Sequence, residues 1–336
     1  MASRLTIQPL INFSELLNVS SHKIDNNIHV YRNGRSSLYI CLNLILKKFN
    51  ADQILLPSVI CDEIIPIIEQ FKIKIVFYNL DDSLTIDFDK LENKLLNRKS
   101  ILLIVNFFGF KNQWEKINKL NNHHNLITIE DNAHCNVSNE NDADFSFNSL
   151  RKIYPLLSGS ILKINNAKFN ERFIYRSSIP RLEELIYFLR NYARSKKSYS
   201  KSKNKNELTF NHNDISIDFI SKYLIKNSLK DNEKYKKIRL TNYHYWQNYL
   251  PEGELRPIFK IANNLEYSPY VYPCIASNKD YAEKWIKWGI NNNITVMSWP
   301  KFPEIVPKEM LTNAHMNILC FPVNQQLNVA EFLKNA

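Results

Sequence analysis

Residues Asn125–Cys135 read NLITIEDNAHC. An apolar run, Leu126–Ile129, ends in two carboxylates, Glu130 and Asp131, and His134 follows three residues on. Continuous apolar character over so short a span marks a strand buried on both faces, as in a parallel sheet. Polar residues at its carboxyl end stand where open α/β sheets gather their ligands. A carboxylate there can hold a cationic ring nitrogen by a charge-assisted hydrogen bond, or it can simply cap the next turn. Both readings of Asp131 stand on this stretch alone.

Working outward, the same pattern repeats. Strand-like runs at Gln53–Leu56, Ile73–Tyr78, Ile101–Asn106, Leu126–Glu130, Asp144–Phe147 and Ser160–Ile164 alternate with helix-like stretches. The helices are expected near Ser37–Phe49, Cys61–Phe71, Phe88–Leu96 and Asn112–His123. Such alternation predicts an α/β layered fold with a largely parallel sheet. SLYICLNLILKKF, at Ser37–Phe49, is apolar nearly all round, which predicts a helix buried in the core or against another subunit. Beyond residue 166 the pattern breaks. A helical stretch is expected around Arg181–Arg194, then a long helix from about Ile217 to Leu250, with an interruption allowed. A strand (Tyr267–Tyr272), a helix (Lys279–Trp288) and a strand (Ile294–Ser298) follow. The division predicted is a large domain over 1–215 and a small C-terminal α+β domain over 216–336.

Two more stretches carry chemistry. DFSFNSLRKIYPLLSGSILKI, Asp144–Ile164, is a strand, a polar turn bearing Lys152, and another strand. A lysine in a partly dry pocket can lose its proton and attack a carbonyl, and a neighbouring cation such as Arg151 favours that loss. A lysine in a turn is otherwise a surface residue. YRNGRSSL, Tyr31–Leu38, opens the apolar helix with a glycine turn and small hydroxyl residues. It reads either as an anion site at a helix N-terminus or as an ordinary N-cap at Ser36.

Composition narrows the class. With 44% hydrophobic and 23% charged residues the chain is globular rather than disordered. The five cysteines are far apart, with no C-x-x-C, which argues against a disulfide framework or a zinc site. No metal site is expected. The net charge is +11, and seven of the basic residues fall between Arg190 and Lys205 with no acidic one among them. That segment is either a solvated loop or an attractor of an anionic partner such as a nucleotide diphosphate or an acidic membrane surface. No nucleic-acid motif accompanies it. The N-terminus lacks a signal-peptide pattern and no apolar run approaches membrane-spanning length, so a cytoplasmic protein is expected.

Taken in order, these stretches resemble the DegT/DnrJ/EryC1/StrS aminotransferases. GRSSL is similar to the family's phosphate-binding helix start, and ILLPSVICDEIIPIIEQFKIKIVFYNL to its "V-I-x-P…G-x-x-P-V-F-V-D" stretch. VNFFGFKNQW is similar to "V-H-x-x-G", IEDNAH to "E-D-x-A-Q/H", and FSFNSLRK to the "F-S-F…K" lysine segment. IRLTNYHYWQNYL is similar to the "R-R-x-N-Y" helix and ILCFPVNQQL to the "L-P-L-P-V-H" stretch.

The resemblance implies a fold-type-I fold built on a mostly parallel mixed sheet, with pyridoxal 5'-phosphate (PLP) and its amino form PMP as cofactor. It implies that Lys152 bonds the cofactor and moves the proton, that Asp131 holds the pyridinium, and that His134 reaches the phenolic oxygen. Arg35 and Ser36 would offer backbone amides to the phosphate, with Ser146, or else Ser149, adding a hydroxyl. It implies amino transfer, with glutamate as donor, to a keto group of a nucleotide-linked sugar in amino-sugar or surface-polysaccharide biosynthesis, by a homodimer. Lys152 lies six residues after Ser146, where the family's lysine lies five after its serine, and Arg151 holds the fifth place. Cys61 stands where many relatives place an aromatic ring over the cofactor, and Ser158–Gly159–Ser160 replaces a glycine pair. These departures motivate the alternatives of a catalytically inactive relative that serves as a binding or regulatory subunit, or of another PLP reaction.

Overall fold

The computed structural model describes residues 5–10, 28–135, 143–171, 177–182, 184–186, 189, 215–261, 268–299 and 301–334. Seven strands form the larger sheet: β1 (Ile28–Tyr31), β2 (Gln53–Pro57), β3 (Lys74–Tyr78), β4 (Ser100–Val105), β5 (Leu126–Asn132), β6 (Phe145–Asn148) and β7 (Ser160–Ile164). Their spatial order is β1-β7-β6-β5-β4-β2-β3. From β6 to β3 all neighbours are parallel, while β7 runs antiparallel to both β6 and β1. The chain steps outward from β2 to β3 and then returns to the other side of β2 for β4, which places the topological switch between β2 and β4. All residues of β2, β4, β5 and β6 are buried, the polar Glu130, Asp131, Asn132, Ser146 and Asn148 included.

Helix α1 (Gly34–Phe49) begins three residues before the expected start. Asn33 makes the difference, because its side chain accepts from the Ser36 amide and caps the first turn. The helix ends on Asn50 in the left-handed conformation. The helix expected over Cys61–Phe71 is a 3-10 turn at Asp62–Ile64 followed by α2 (Ile65–Glu69). Pro66 sits in the first turn of α2, where its missing N–H costs no helical bond. Helices α3 (Phe88–Leu95), α4 (Trp114–His123) and α5 (Leu150–Ile153) complete the crossovers. Strand β1 was absent from the strands expected above. It is a four-residue edge strand, too short to show a period.

The second sheet has the order β10-β11-β9-β8, all antiparallel. Its strands are β8 (Leu255–Pro257), β9 (Val271–Ala276), β10 (Met297–Ser298) and β11 (Ile318–Pro322). The long helix is interrupted at Asp231 into α6 (Phe219–Lys230) and α7 (Asn232–Tyr249). The N-terminal residues join this part of the chain. Leu5 pairs with Ile294, and the Asn324 side chain donates to the Thr6 carbonyl at 2.6 Å. A division purely by sequence order, with 1–215 in one body, therefore differs from the contacts made by residues 5–10. One continuous apolar core spans both sheets. The basic segment 190–205, and most of the helical stretch expected at Arg181–Arg194, lie outside the described residues.

Gly109 ties the two sheets together. It has φ +96°, and a Cβ there would lie 2.3 Å from the Ser268 carbonyl oxygen. Beside it, the Tyr270 amide donates to the Phe108 carbonyl at 2.8 Å. Gly109→Ala is expected to destabilise the protein by about 2–4 kcal/mol, combining left-handed strain with a backbone clash. Gly253→Ala, with nothing within 4 Å of the added carbon, is expected to stay within about 0.5 kcal/mol of wild type. Urea unfolding of the two variants checks the contrast.

Candidate functional site

The carboxyl ends of β1, β2, β4, β5 and β6 converge on one pocket. Its lining includes Gly34 and Arg35 from the start of α1, Cys61 and Glu63 after β2, Phe107 after β4, and Asp131 and His134 at the end of β5. Ser149, Arg151 and Lys152 follow β6, and Trp299 follows β10. Asp131 and His134 thus meet Lys152, which comes from the next strand–turn unit.

Register decides which side chains face this pocket. Val105, Asp131 and Phe147 are paired across β4, β5 and β6 and share one face of the sheet. All three line the pocket. Glu130 pairs with Ser146 on the opposite face. Ser146, expected to supply a hydroxyl, is therefore turned away by strand alternation, and Ser149, one residue past the strand, lines the pocket instead. Ser36 departs from expectation too. Its amide is donated to Asn33 Oδ1 at 3.0 Å, while Asn33, Gly34 and Arg35 line the pocket.

Behind the sheet a hydrogen-bonded network holds the end of β5. Asn106 Nδ2 donates to Glu130 Oε1 at 2.7 Å and to Asn132 Oδ1 at 2.6 Å, and Trp114 Nε1 donates to Glu130 Oε1 at 3.2 Å. The Asn106 amide donates to the Asp131 carbonyl at 3.0 Å. In front, Asp131 Oδ1 accepts from the Ala133 amide at 2.8 Å, and its other oxygen accepts nothing from any described residue. Burial pushes the Asp131 carboxyl up to about 6, against the pull of the Ala133 amide and of the Lys152 charge.

His134 stands in an aromatic box. Tyr270 stacks on it with ring centroids 4.8 Å apart and Phe108 with centroids 5.7 Å apart, while Trp299 meets it edge-on at 6.0 Å. Burial, and then the Lys152 charge, hold His134 well below the ordinary histidine range, so the ring is neutral. Its Nδ1 accepts from the Phe108 amide at 3.4 Å, which leaves the proton on Nε2. Lys152 Nζ lies 6.0 Å from the centre of the Tyr270 ring.

One supporting residue was not singled out by the sequence. Arg239, on α7, is fully buried. Its guanidinium donates to the carbonyls of Ile153 (3.0 Å), Pro269 (3.2 Å) and Tyr270 (3.4 Å), and to Gln325 Oε1 (2.9 Å). Gln325 Nε2 donates to the same Ile153 carbonyl at 3.0 Å. The turn that carries Lys152 and the ring that stacks on His134 are thus clamped by one cation. Burial brings that guanidinium down to about 10. The "R-R-x-N-Y" match contained Arg239, but sequence offers no sign of which carbonyls it would reach. Trp299 and Phe108 were likewise missed, since single aromatic residues in loops look the same whether they line a site or a core.

Two outcomes follow from this geometry. Arg239→Met leaves buried carbonyls without donors and is expected to cost about 2–4 kcal/mol in urea unfolding. The second concerns pH. A carboxyl raised above its value in the unfolded chain, here from 3.8 to about 6, favours folding while protonated and opposes it once ionised. Ligand-free protein is therefore expected to lose stability as the pH rises from about 4 to about 6, by roughly 3 kcal/mol from this group. Asp131→Asn removes that slope. A wild-type-minus-variant difference that is flat across the range contradicts the burial argument.

Comparisons with known proteins agree with this architecture. The family model of the DegT/DnrJ/EryC1/StrS aminotransferases matches residues 24–154. No match to a curated protein sequence was found. Among solved structures, Spr1654 of Streptococcus pneumoniae, assigned as a sugar aminotransferase and solved in its PMP form, aligns with TM-score 0.72 and 11% identity, covering 98% of this chain and 95% of that one. Helicobacter pylori PseC, an aminotransferase involved in the biosynthesis of pseudoaminic acid, aligns with TM-score 0.71 and 15% identity, covering 98% and 96%. A DegT DnrJ EryC1 StrS aminotransferase from Brucella abortus aligns with TM-score 0.63 and 15% identity, covering 91% and 83%. Residues 24–154 thus match the DegT/DnrJ/EryC1/StrS aminotransferase family, and the whole chain shares the fold of these solved structures.

Proposed function

We propose that the protein is a PLP-dependent aminotransferase that moves an amino group from glutamate to a keto group of a nucleotide-linked sugar, acting as a cytoplasmic homodimer. The observation that carries the reading is the convergence of Lys152, Asp131, His134 and the α1 N-terminus on one pocket. The residues fit the cofactor group by group. The buried Asp131 oxygen that accepts nothing from the described residues matches a protonated ring nitrogen. The Gly34 and Arg35 amides, with the helix dipole behind them, match a phosphate. The Lys152 amine matches an aldehyde carbon.

When bound, PLP supplies an electron sink that stabilises negative charge on the substrate carbon. The chain's own residues do the rest. Asp131 keeps the ring nitrogen protonated, because a carboxylate so deeply buried gains most from an adjacent cation. His134 presents Nε2–H to an anionic oxygen. Lys152 takes and returns the proton at the carbon that gains or loses the amine. Trp299 and Phe107 narrow the pocket and restrict water. The sugar acceptor is favoured by the two sugar-pathway proteins that share this fold. The chain's excess of positive charge suits an anionic nucleotide carrier.

Purified protein is expected to turn yellow with PLP and to lose that colour when glutamate is added. Lys152→Ala is expected to lose both responses and to fall by at least about a thousandfold in amino transfer, as when an enzyme loses a covalent catalyst. A panel of keto sugars with and without a nucleotide carrier then tests the acceptor. Wild-type protein that stays colourless and ignores glutamate points instead to a non-catalytic binding relative. An unchanged colour in Lys152→Ala sinks the lysine assignment.

A further inference from the structure

The turn that carries Lys152 is fastened at the two residues that follow the lysine. The Ile153 carbonyl accepts from Arg239 Nη2 and from Gln325 Nε2, both at 3.0 Å. Arg239 Nε donates to Gln325 Oε1 at 2.9 Å, so the three groups form a closed ring of hydrogen bonds. One residue further on, the Tyr154 hydroxyl donates to Asn232 Oδ1 at 2.7 Å. Ile153 and Tyr154 are both fully buried. Asn232 and Arg239 are seven residues apart on α7, about two turns, so both grips come from one face of that helix.

The turn needs this support. Leu150–Ile153 is a single turn of four residues, too short to be stable alone. The same guanidinium also holds the carbonyls of Pro269 and Tyr270, and Lys152 Nζ lies 6.0 Å from the centre of the Tyr270 ring. The backbone behind the lysine and the ring beside its amine are thus referred to one buried group. No carboxylate among the described residues offsets the Arg239 charge, and burial brings the guanidinium down to about 10. None of Arg239, Gln325 and Asn232 lines the pocket.

We propose that Arg239, Gln325 and Asn232 are positioning residues for Lys152: by holding Ile153 and Tyr154 they set the amine where it can bond the cofactor's aldehyde carbon. The inference rests on the PLP reading above, and it adds that residues from the second half of the chain control this bond from outside the pocket. In that reaction the amine nitrogen bonds the aldehyde carbon, and the aldehyde oxygen leaves as water with the two amine protons. The reacting atoms must approach to about 3–3.5 Å, and a misplacement of about 1 Å caused from a distance can cost about a hundredfold in rate.

The test compares PLP with 4-deoxypyridoxine 5'-phosphate, which has the ring and the phosphate but no aldehyde. Bond formation with Lys152 is followed by visible absorbance. Binding of the aldehyde-free analogue is followed by tryptophan fluorescence, since Trp299 lines the pocket. Gln325→Leu removes one donor to Ile153, and Tyr154→Phe removes the hydroxyl that reaches Asn232. Each is expected to slow bond formation about 3–10-fold, and the two together about 10–100-fold, with the Kd of the analogue within about twofold of wild type. Gln325→Glu separates positioning from stability. Its carboxylate still accepts from Arg239 and adds a countercharge, but it cannot donate to the Ile153 carbonyl. It is expected to slow bond formation as the leucine variant does, while unfolding in urea no more easily than wild type.

Variants that form the bond at the wild-type rate overturn the positioning role and leave the PLP reading standing. So does a loss of affinity for the analogue as large as the loss of rate, which would mean that the whole pocket has loosened. Wild-type protein that binds neither PLP nor the analogue overturns both readings together.

Discussion

Asp131 lies near the end of a strand whose seven residues are all buried, and burial disfavours its charge. A carboxylate so placed is tolerated only if the surrounding groups are arranged for it. On its own side the Ala133 amide donates to one oxygen. Behind it, Asn106 and Trp114 donate to the adjoining Glu130, and Asn106 also donates to Asn132, so that two acidic residues in sequence face opposite environments. Asn112 extends this support. Its amide donates to Asn106 Oδ1 at 3.0 Å, and its side chain donates to the Val105 carbonyl at 2.7 Å. The loop after β4 is thereby fixed to the end of β5, and Phe108, in that loop, is placed against His134.

The rest of the site depends on the parallel arrangement around this strand. Parallel neighbours end on the same side, so β2, β4, β5 and β6 all deliver their following loops to one edge. Strand β1 delivers α1 to the same edge because β7 reverses direction between β6 and β1. The two antiparallel pairings cancel, so β1 runs in the same direction as β6. The short antiparallel β7 holds β1 in the sheet. The contact between Ser37 Oγ and Ser160 Oγ, at 2.8 Å, joins α1 directly to that strand.

The fold was legible in the sequence because its signals are local. Unbroken apolar runs such as SILLIV at Ser100–Val105 mark central parallel strands at any position in a chain. Asp131, His134 and Lys152 were legible too, since strand ends collect chemistry and the family motifs cover all three. The contents of the site that were missed belong to long-range packing. Arg239 is 86 residues from the Ile153 carbonyl it binds, and Trp299 reaches His134 from the second sheet. Ser146 misled for a different reason. It sits in a motif of the right composition, but which face of a strand a residue occupies is set by pairing with β5, and that register is invisible in the segment alone.

The same geometry accounts for the irregular spacing before Lys152. In an extended strand, one added residue turns every later side chain to the opposite face. In a helical turn it rotates them by about 100° instead. Strand β6 stops at Asn148, and residues Leu150–Ile153 form a turn of helix, so Lys152 is placed by a helical turn rather than by strand alternation. Neighbouring residues in such a turn can then line one pocket, and Ser149, Arg151 and Lys152 all do. A turn of four residues has little stability of its own. Its last carbonyl, that of Ile153, is held by two donors from the second half of the chain, Arg239 and Gln325. Arg151 and Lys152 thus line the pocket from a short turn whose last carbonyl Gln325 and the buried Arg239 fix.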